Sequence, residues 1–240
     1  MKIEVWSDYV CPFCYIGKRR LEVALSQFPH KDQVEMELKS FELDPNAPLY
    51  KGKSIHEAIA EKYGMTIEQA KQTNQGIGQQ AASIGLSFNF DKMKPTNTFD
   101  AHRLVKYAKT QGREAEISEK LFQAYFTEGK HIGDHETLAD IAESAGLDRK
   151  HALNVLQDPT AFVHEVRLDE AIAQRYQITG VPFFLINQKY TISGAQPLEI
   201  FIKALKKVWE EESATPVFQD LSTKKDVSCA DGSCAIPDQE

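Results

Sequence analysis

Strand-forming sequence in this chain is confined to two regions, residues 2–41 and 182–193, with a long run of helical pattern between them. From Lys2 to Asp8, Ile3, Val5 and Ser7 alternate with Glu4, Trp6 and Asp8. From Val34 to Phe41, Val34, Met36 and Leu38 alternate with Glu35, Glu37 and Lys39. Both carry the period-2 mark of strands. Pro12 to Phe28 reads as a helix. Pro12 suits a first turn, where its missing N–H costs nothing. Ile16, Leu21, Ala24, Leu25 and Phe28 form an apolar stripe, and Pro29 closes it. A strand–helix–strand unit of this kind favours a parallel pair. Pro45 and Pro48 then mark a loop.

From about Ser54 to Leu156 the pattern is almost wholly helical. Ile67, Ala70, Asn74, Ile77, Ala81 and Ile84 make one stripe; Ala101, Leu104, Val105 and Ala108 a second; Ile117, Leu121 and Tyr125 a third; Leu138, Ile141, Ala142 and Ala145 a fourth. Asp134 is the expected cap of the fourth and Gly146 its stop. After one more helix, about Ala161 to Tyr176, Pro182 to Ile186 and Tyr190 to Ser193 read as a hairpin turning at Gln188. A last helix starts at Pro197, with Leu198, Ile202, Leu205 and Trp209 on one face. Ser213 to Glu240 is polar and aperiodic, the composition of a flexible tail. No repeat at solenoid spacing is present.

Charge narrows the partners. With 28 basic against 35 acidic side chains the net charge is −7, a balance that disfavours nucleic acid, which calls for a basic surface, and anionic lipid. No apolar run approaches the roughly 20 residues that cross a bilayer. The opening MKIEVWSDYVCPFC lacks the apolar segment of about 7–15 residues that a signal peptide needs. A cytoplasmic setting is therefore expected, and there close cysteine pairs point to redox chemistry or a metal rather than to a structural framework.

The four cysteines form two such pairs, Cys11/Cys14 and Cys229/Cys234. Cys11-Pro12-Phe13-Cys14 lies where a strand hands over to a helix, so the Cys11 sulfur faces unpaired N–H groups and the positive end of the helix dipole. Both favour thiolate, the attacking species in thiol–disulfide exchange, and Cys14 stands close enough to resolve a mixed disulfide. Half of a zinc site is the competing reading, but no further ligand pair at knuckle spacing accompanies it. In Cys229-Ala230-Asp231-Gly232-Ser233-Cys234 the Asp-Gly turn lets the sulfurs meet. A tether of about 17 residues spans roughly 23 Å, enough to reach Cys11. An accessory redox pair, two idle thiols and a metal site all remain open for it. His131 and His135 have helical ligand spacing but no third ligand, so no metal site is assigned.

Several stretches resemble the thioredoxin superfamily, and within it the FrnE-like cytosolic members of the DsbA family. They are SDYVCPFCYIGKRRLE at 7–22, FELDPNAP at 41–48, FDAHRL at 99–104, LFQAYFTEGKHIGDHETLADIA at 121–142 and GVPFFLINQKYTISGAQP at 180–197. The resemblance implies an α/β, thioredoxin-like fold with an inserted all-helical subdomain. Residues 1–45 and 160–212 would form the thioredoxin-like part, 46–159 the insertion and 213–240 the tail. It implies a cis Pro182 lying against the dithiol. It also implies exchange of disulfides with protein or small thiol substrates through Cys11 and Cys14, without a cofactor, with glutathione as a conceivable co-substrate. Pro12, Phe13, Val181 and Pro182 would then contact substrate, Val181 and Pro182 by strand addition. Phe13 stands where Trp is common in the family. A glutathione-dependent transferase or isomerase of the kappa-class-like branch is the alternative on the same fold, but that branch carries serine at the position of Cys11. FDAHRL places His102 and Arg103 in a recurrent stretch without assigning them chemistry.

Overall fold

The computed structural model describes residues 1–213 together with the backbone of 229–230 and 233–234. In chain order the elements are β1 (Lys2–Ser7), α1 (Pro12–Ser26), β2 (Glu35–Ser40), α2 (Ile55–Tyr63), α3 (Ile67–Ala82), α4 (Phe99–Thr110), α5 (Glu114–Gln123), α6 (His135–Ser144), α7 (Arg149–Gln157), α8 (Val163–Arg175), β3 (Phe183–Ile186), β4 (Tyr190–Ser193), α9 (Leu198–Ser213), β5 (Cys229–Ala230) and β6 (Ser233–Cys234). The four longer strands form one sheet in the order β2-β1-β3-β4. β1 pairs parallel with β2, Val5 opposite Leu38, and antiparallel with β3, Val5 opposite Phe184. The hairpin β3–β4 sets Phe184 against Ile192. This is the α/β arrangement expected from the sequence, a mixed four-stranded sheet wrapped by helices.

Both faces of β1 are covered, so its alternation sorts residues between two cores rather than between core and water. Ile3 and Val5 pack with Leu21 and Ala24 of α1 and Phe201, Leu205 and Val208 of α9. Trp6, on the opposite face, packs with Ala173 of α8 and donates its indole N–H to the Asp169 carbonyl at 3.1 Å. The largest core joins the helices of 54–156 to Tyr9, Cys11, Cys14, Tyr15 and Ile16. The dithiol thus sits at the boundary of sheet and helices.

Local sequence sets the helix limits. Ser54 and Thr66 each form a reciprocal capping box with the residue three on, Glu57 and Gln69. Asp134 caps α6 by accepting from Thr137 N at 2.9 Å, and Gly146 follows that helix with a left-handed φ of +79°. α5 runs on into a π-helical turn, Ala124–Glu128. There the Phe126 carbonyl leaves the helical ladder and accepts from Asn89 N at 2.7 Å. The wider turn buries Ala124, Tyr125 and Phe126 in succession. The tail expected to be flexible lies outside the described residues from 214 to 228. β5 and β6 pair antiparallel with Cys229 and Cys234 as opposite Cα partners, and their side chains lie outside the described residues.

Ion pairs fasten the layers. Glu119 of α5 meets Lys18 and Arg19 of α1, Arg19 at 2.7 Å, and accepts from the Tyr15 hydroxyl at 2.7 Å. Asp169 of α8 pairs with Lys106 of α4 and, at 3.5 Å, with Lys39 of β2. Arg103 is buried and donates to the Val155, Leu156, Asp158 and Ala161 carbonyls at the end of α7. Its place is thus structural.

Glu37 accepts from Lys109, Lys2 and Lys39 at 2.7, 2.7 and 2.9 Å. Burial opposes ionisation of its carboxyl, but these three ammonium groups outweigh it and hold the group well below the ordinary carboxylate range. A depressed folded-state value stabilises the fold above the unfolded value and is lost as pH falls below it. Thermal unfolding of the parent should therefore lose more stability between about pH 5 and pH 2 than Glu37→Gln does, and the two should converge at the acid end. A second expectation concerns Gly17, where an added Cβ meets Pro182 Cγ at 2.9 Å and Phe184 Cζ at 3.2 Å. Gly17→Ala should cost about 1–3 kcal/mol in urea unfolding, because both neighbours are packed.

Candidate active site

The site grows from the turn between β1 and α1. The chain leaves the sheet at Ser7, Cys11 N donates to the Asp8 carbonyl at 3.1 Å, and Cys11 becomes the N-cap of α1. Pro12 opens the helix, where a missing N–H is harmless. Cys14 lies one turn inward, and its N–H donates to the Cys11 carbonyl at 3.1 Å. Cys11 is 4% exposed and Cys14 1%, and both are free thiols.

The second strand pair supplies the opposite wall. The Val181–Pro182 peptide bond is cis. The Val181 carbonyl accepts from Cys11 Sγ at 3.7 Å, which sets the loop before β3 on the outer cysteine. Pro182 is buried, with its carbonyl held by Gly194 N at 2.8 Å. Gly17 leaves the room that the Pro182 ring occupies on α1. Around this contact Phe13 is 40% exposed, and Pro12 and Val181 are half-buried. The structure therefore brings Cys11, Pro12, Phe13, Cys14, Val181 and Pro182 into one place. It assigns no position relative to them to the sulfurs of Cys229 and Cys234, which lie outside the described residues.

The two thiols have different surroundings. Cys14 Sγ accepts from Asp8 N at 3.5 Å. Burial, reinforced by the adjacent Cys11 sulfur, pushes the Cys14 thiol well above its ordinary value, against hydrogen bonds from Ser7 and the Asp8 amide. Beneath it lies an aromatic wall: Tyr15 stacks on Phe122 with centroids 4.9 Å apart, and Phe122 meets Tyr9 at 5.0 Å. Burial pushes the Tyr9 hydroxyl up as well, so it stays protonated.

Two further residues reach this region that the sequence did not single out for chemistry. Asp8 is 1% exposed at the end of β1, and His102 of α4 is 2% exposed, with its ring 4.9 Å from that of Tyr9. An acid three residues before Cys11, at the place where a strand closes, was the available signal for Asp8. His131 and His135 go separate ways, His131 to Thr96 at 3.0 Å and His135 to Asp100 at 2.8 Å. Among the described residues no group of three His, Cys, Asp or Glu side chains is placed to hold a metal ion.

A family model described as DSBA-like thioredoxin domain matches residues 2–206. The uncharacterised protein YwbO of Bacillus subtilis is 32% identical over 207 residues, 85% of this chain and 94% of that one. Among solved structures, the probable DsbA oxidoreductase SCO1869 of Streptomyces coelicolor is 39% identical and superposes with a TM-score of 0.85 over 99% of this chain and 100% of its own. A 2-hydroxychromene-2-carboxylate isomerase superposes with a TM-score of 0.64 over 89% of this chain and 98% of its own, but at 16% identity it shares the fold alone. With the match running from β1 into α9 and the cysteine pair at the head of α1, this chain belongs to the DsbA-like thioredoxin family of thiol–disulfide oxidoreductase-like proteins.

Proposed function

We propose that this chain exchanges disulfides with protein or small-molecule thiols through Cys11 and Cys14. The observation that carries the reading is the asymmetry of the pair. Cys11 occupies the N-cap position of α1 beside the Val181 carbonyl, its sulfur making no capping hydrogen bond, whereas Cys14 is buried one turn inward and held as a thiol. Cys11 is the attacking sulfur because it stands at the outer end of the helix against the Val181–Pro182 loop, where a substrate disulfide reaches it before Cys14. In reduction, the Cys11 thiolate forms a bond to one sulfur of the substrate disulfide and the other leaves as a thiolate. Cys14 then gives up its proton, bonds to Cys11 Sγ and displaces the second substrate thiolate. Run backward, the same steps oxidise a dithiol.

Phe13, Pro12 and the Val181–Pro182 loop surround Cys11 and form the docking surface for an extended substrate segment, with backbone pairing along that loop. The two electrons reside in the cysteines, so no cofactor is invoked, and glutathione fits the scheme as a co-substrate. Residues 46–159 act as a helical insertion over the inner thiol. The presence of both cysteines speaks against the glutathione-dependent isomerase alternative.

Cys11→Ser should abolish disulfide reduction in an insulin assay, whereas Cys14→Ser should accumulate mixed disulfides visible by mass spectrometry. Equal residual turnover in the two variants would refute the division of roles. We further assign Cys229 and Cys234 as an accessory pair that delivers electrons to the Cys11–Cys14 disulfide, since a tethered thiol acts at millimolar effective concentration. Deleting 227–240 should leave urea unfolding of the remainder unchanged and slow reduction of that disulfide by glutathione in stopped flow. An unchanged rate removes the assignment.

A further inference from the structure

Asp8 and His102 form a buried pair that does not complete its bond. Asp8 Oδ1 and His102 Nε2 lie 3.4 Å apart, and neither atom has a hydrogen-bond partner. The other carboxylate oxygen of Asp8 is satisfied by Leu43 N at 2.8 Å. Burying two polar atoms without a full bond costs free energy, and a pair kept for rigidity alone would close. An imidazole that gains a proton would close it, because a charged N–H next to a carboxylate makes a short, strong hydrogen bond. The arrangement leaves His102 Nε2 buried and without a competing partner.

Two observations tie the pair to the inner thiol. Asp8 N is itself the donor to Cys14 Sγ. His102 and Cys14 also line one cavity of about 60 Å³, together with Ser7, Tyr9, Ser118 and Glu114. That volume admits more than one water molecule, and its wall offers the polar partners that water needs. Glu114 Oε1 on the same wall is buried and unpartnered as well.

We propose that His102 is the proton acceptor for Cys14 during resolution of the mixed disulfide, with Asp8 as the positioning residue that orients the imidazole and stabilises it once charged. The inference rests on the dithiol reading above. In the step, the Cys14 S–H proton passes through cavity water to His102. The freed electron pair forms the Cys14–Cys11 bond, the bond between Cys11 and the substrate sulfur breaks, and the substrate leaves as a thiolate. His102 then returns the proton to solvent or to the product thiolate.

Several charged or titratable groups face this centre. Cys11 and Tyr9 come from the first turn, Glu42 from the loop after β2, and Tyr125 from the π-helical turn, while Lys106 and Glu114 line the cavity. Tyr9 and Tyr125 are held protonated by burial. Glu42 is engaged by Arg167 at 2.6 Å, and Lys106 by Asp169. Lys18 and Lys39 also line the cavity, held by Glu22 at 2.5 Å and Glu37 at 2.9 Å, so that of the nitrogen groups on its wall His102 Nε2 is the one without a partner.

The test separates the two thiols in time. Ellman's reagent added to the reduced full chain, with Cys229→Ser and Cys234→Ser as the common background so that only the helix pair reacts, releases one thionitrobenzoate when Cys11 attacks and a second when Cys14 resolves the adduct. In His102→Gln the first phase should stay within about twofold. The second should slow by about a hundredfold at pH 7, the range for loss of a general base, and should rise about tenfold per pH unit as hydroxide replaces the imidazole. Asp8→Asn, nearly isosteric, should slow the second phase alone by a smaller factor. A second phase unchanged in rate and pH slope in both variants overturns the proposal. Failure of the parent chain to show a first phase refutes the dithiol reading itself, a different result from loss of the second phase alone.

Discussion

β1 is the strand on which the fold depends, because its two neighbours in the sheet come from opposite halves of the chain. It pairs in parallel with β2 about thirty residues on and antiparallel with β3 about 180 residues on. A strand so placed cannot leave either face to water. Ile3 and Val5 serve the α1–α9 core while Trp6 serves the α8 core. The end of that strand is therefore fixed from four sides, and the turn it feeds, Asp8 to Cys14, inherits the fixity. A thiol chemistry that depends on the position of one sulfur to within fractions of an ångström calls for such a mount.

The helices between the two halves of the sheet do more than cover it. α5 brings Glu119 against Lys18 and Arg19, so the helix that carries the cysteines is clamped from outside the sheet. Burial works against ionisation of Glu119, yet Lys18, Tyr15 and Arg19 pull its carboxyl below the ordinary value. α4 contributes Lys106 to Asp169 and His102 to the vicinity of Asp8. The same helix thus ties down α8 on one side and reaches the inner thiol on the other. The low polarity around Cys14, which keeps it a thiol, is made by aromatic side chains of α5 and its extension.

Much of this was legible in the sequence. The stripes of α4 and α6 are buried as the spacing indicated, the hairpin turns at Gln188, and Asp134 caps its helix. The α9 stripe was read too narrowly. Phe201 and Val208 are its most buried residues beside Leu205, because α9 packs against both α1 and the sheet and so presents a broad face. The polar interior was not legible. Arg103, Lys106, Asp169, Asp8 and His102 are buried by partners that lie tens of residues or more away in sequence. A period of 3.6 or 2 assigns a face but cannot say whether a charge on that face will find an opposite one. The Cys11–Pro12–Phe13–Cys14 turn was readable for the opposite reason: its chemistry is set by residues next to one another and by the helix that they open.

The π-helical turn after α5 carries a consequence for how such a chain can vary. Five residues, Ala124–Glu128, do the work that four do in an ordinary helix, and the spare carbonyl of Phe126 is spoken for by Asn89. Removing one residue here would restore regular winding and turn everything that follows by about 100° relative to α5. Tyr125 and Phe126 could then no longer both point inward, and the 83–98 connection would lose its anchor. Insertions and deletions should therefore be tolerated in the exposed connection after β2 far more readily than within this turn. Chain length at 124–128 is a quantity that the fold counts residue by residue.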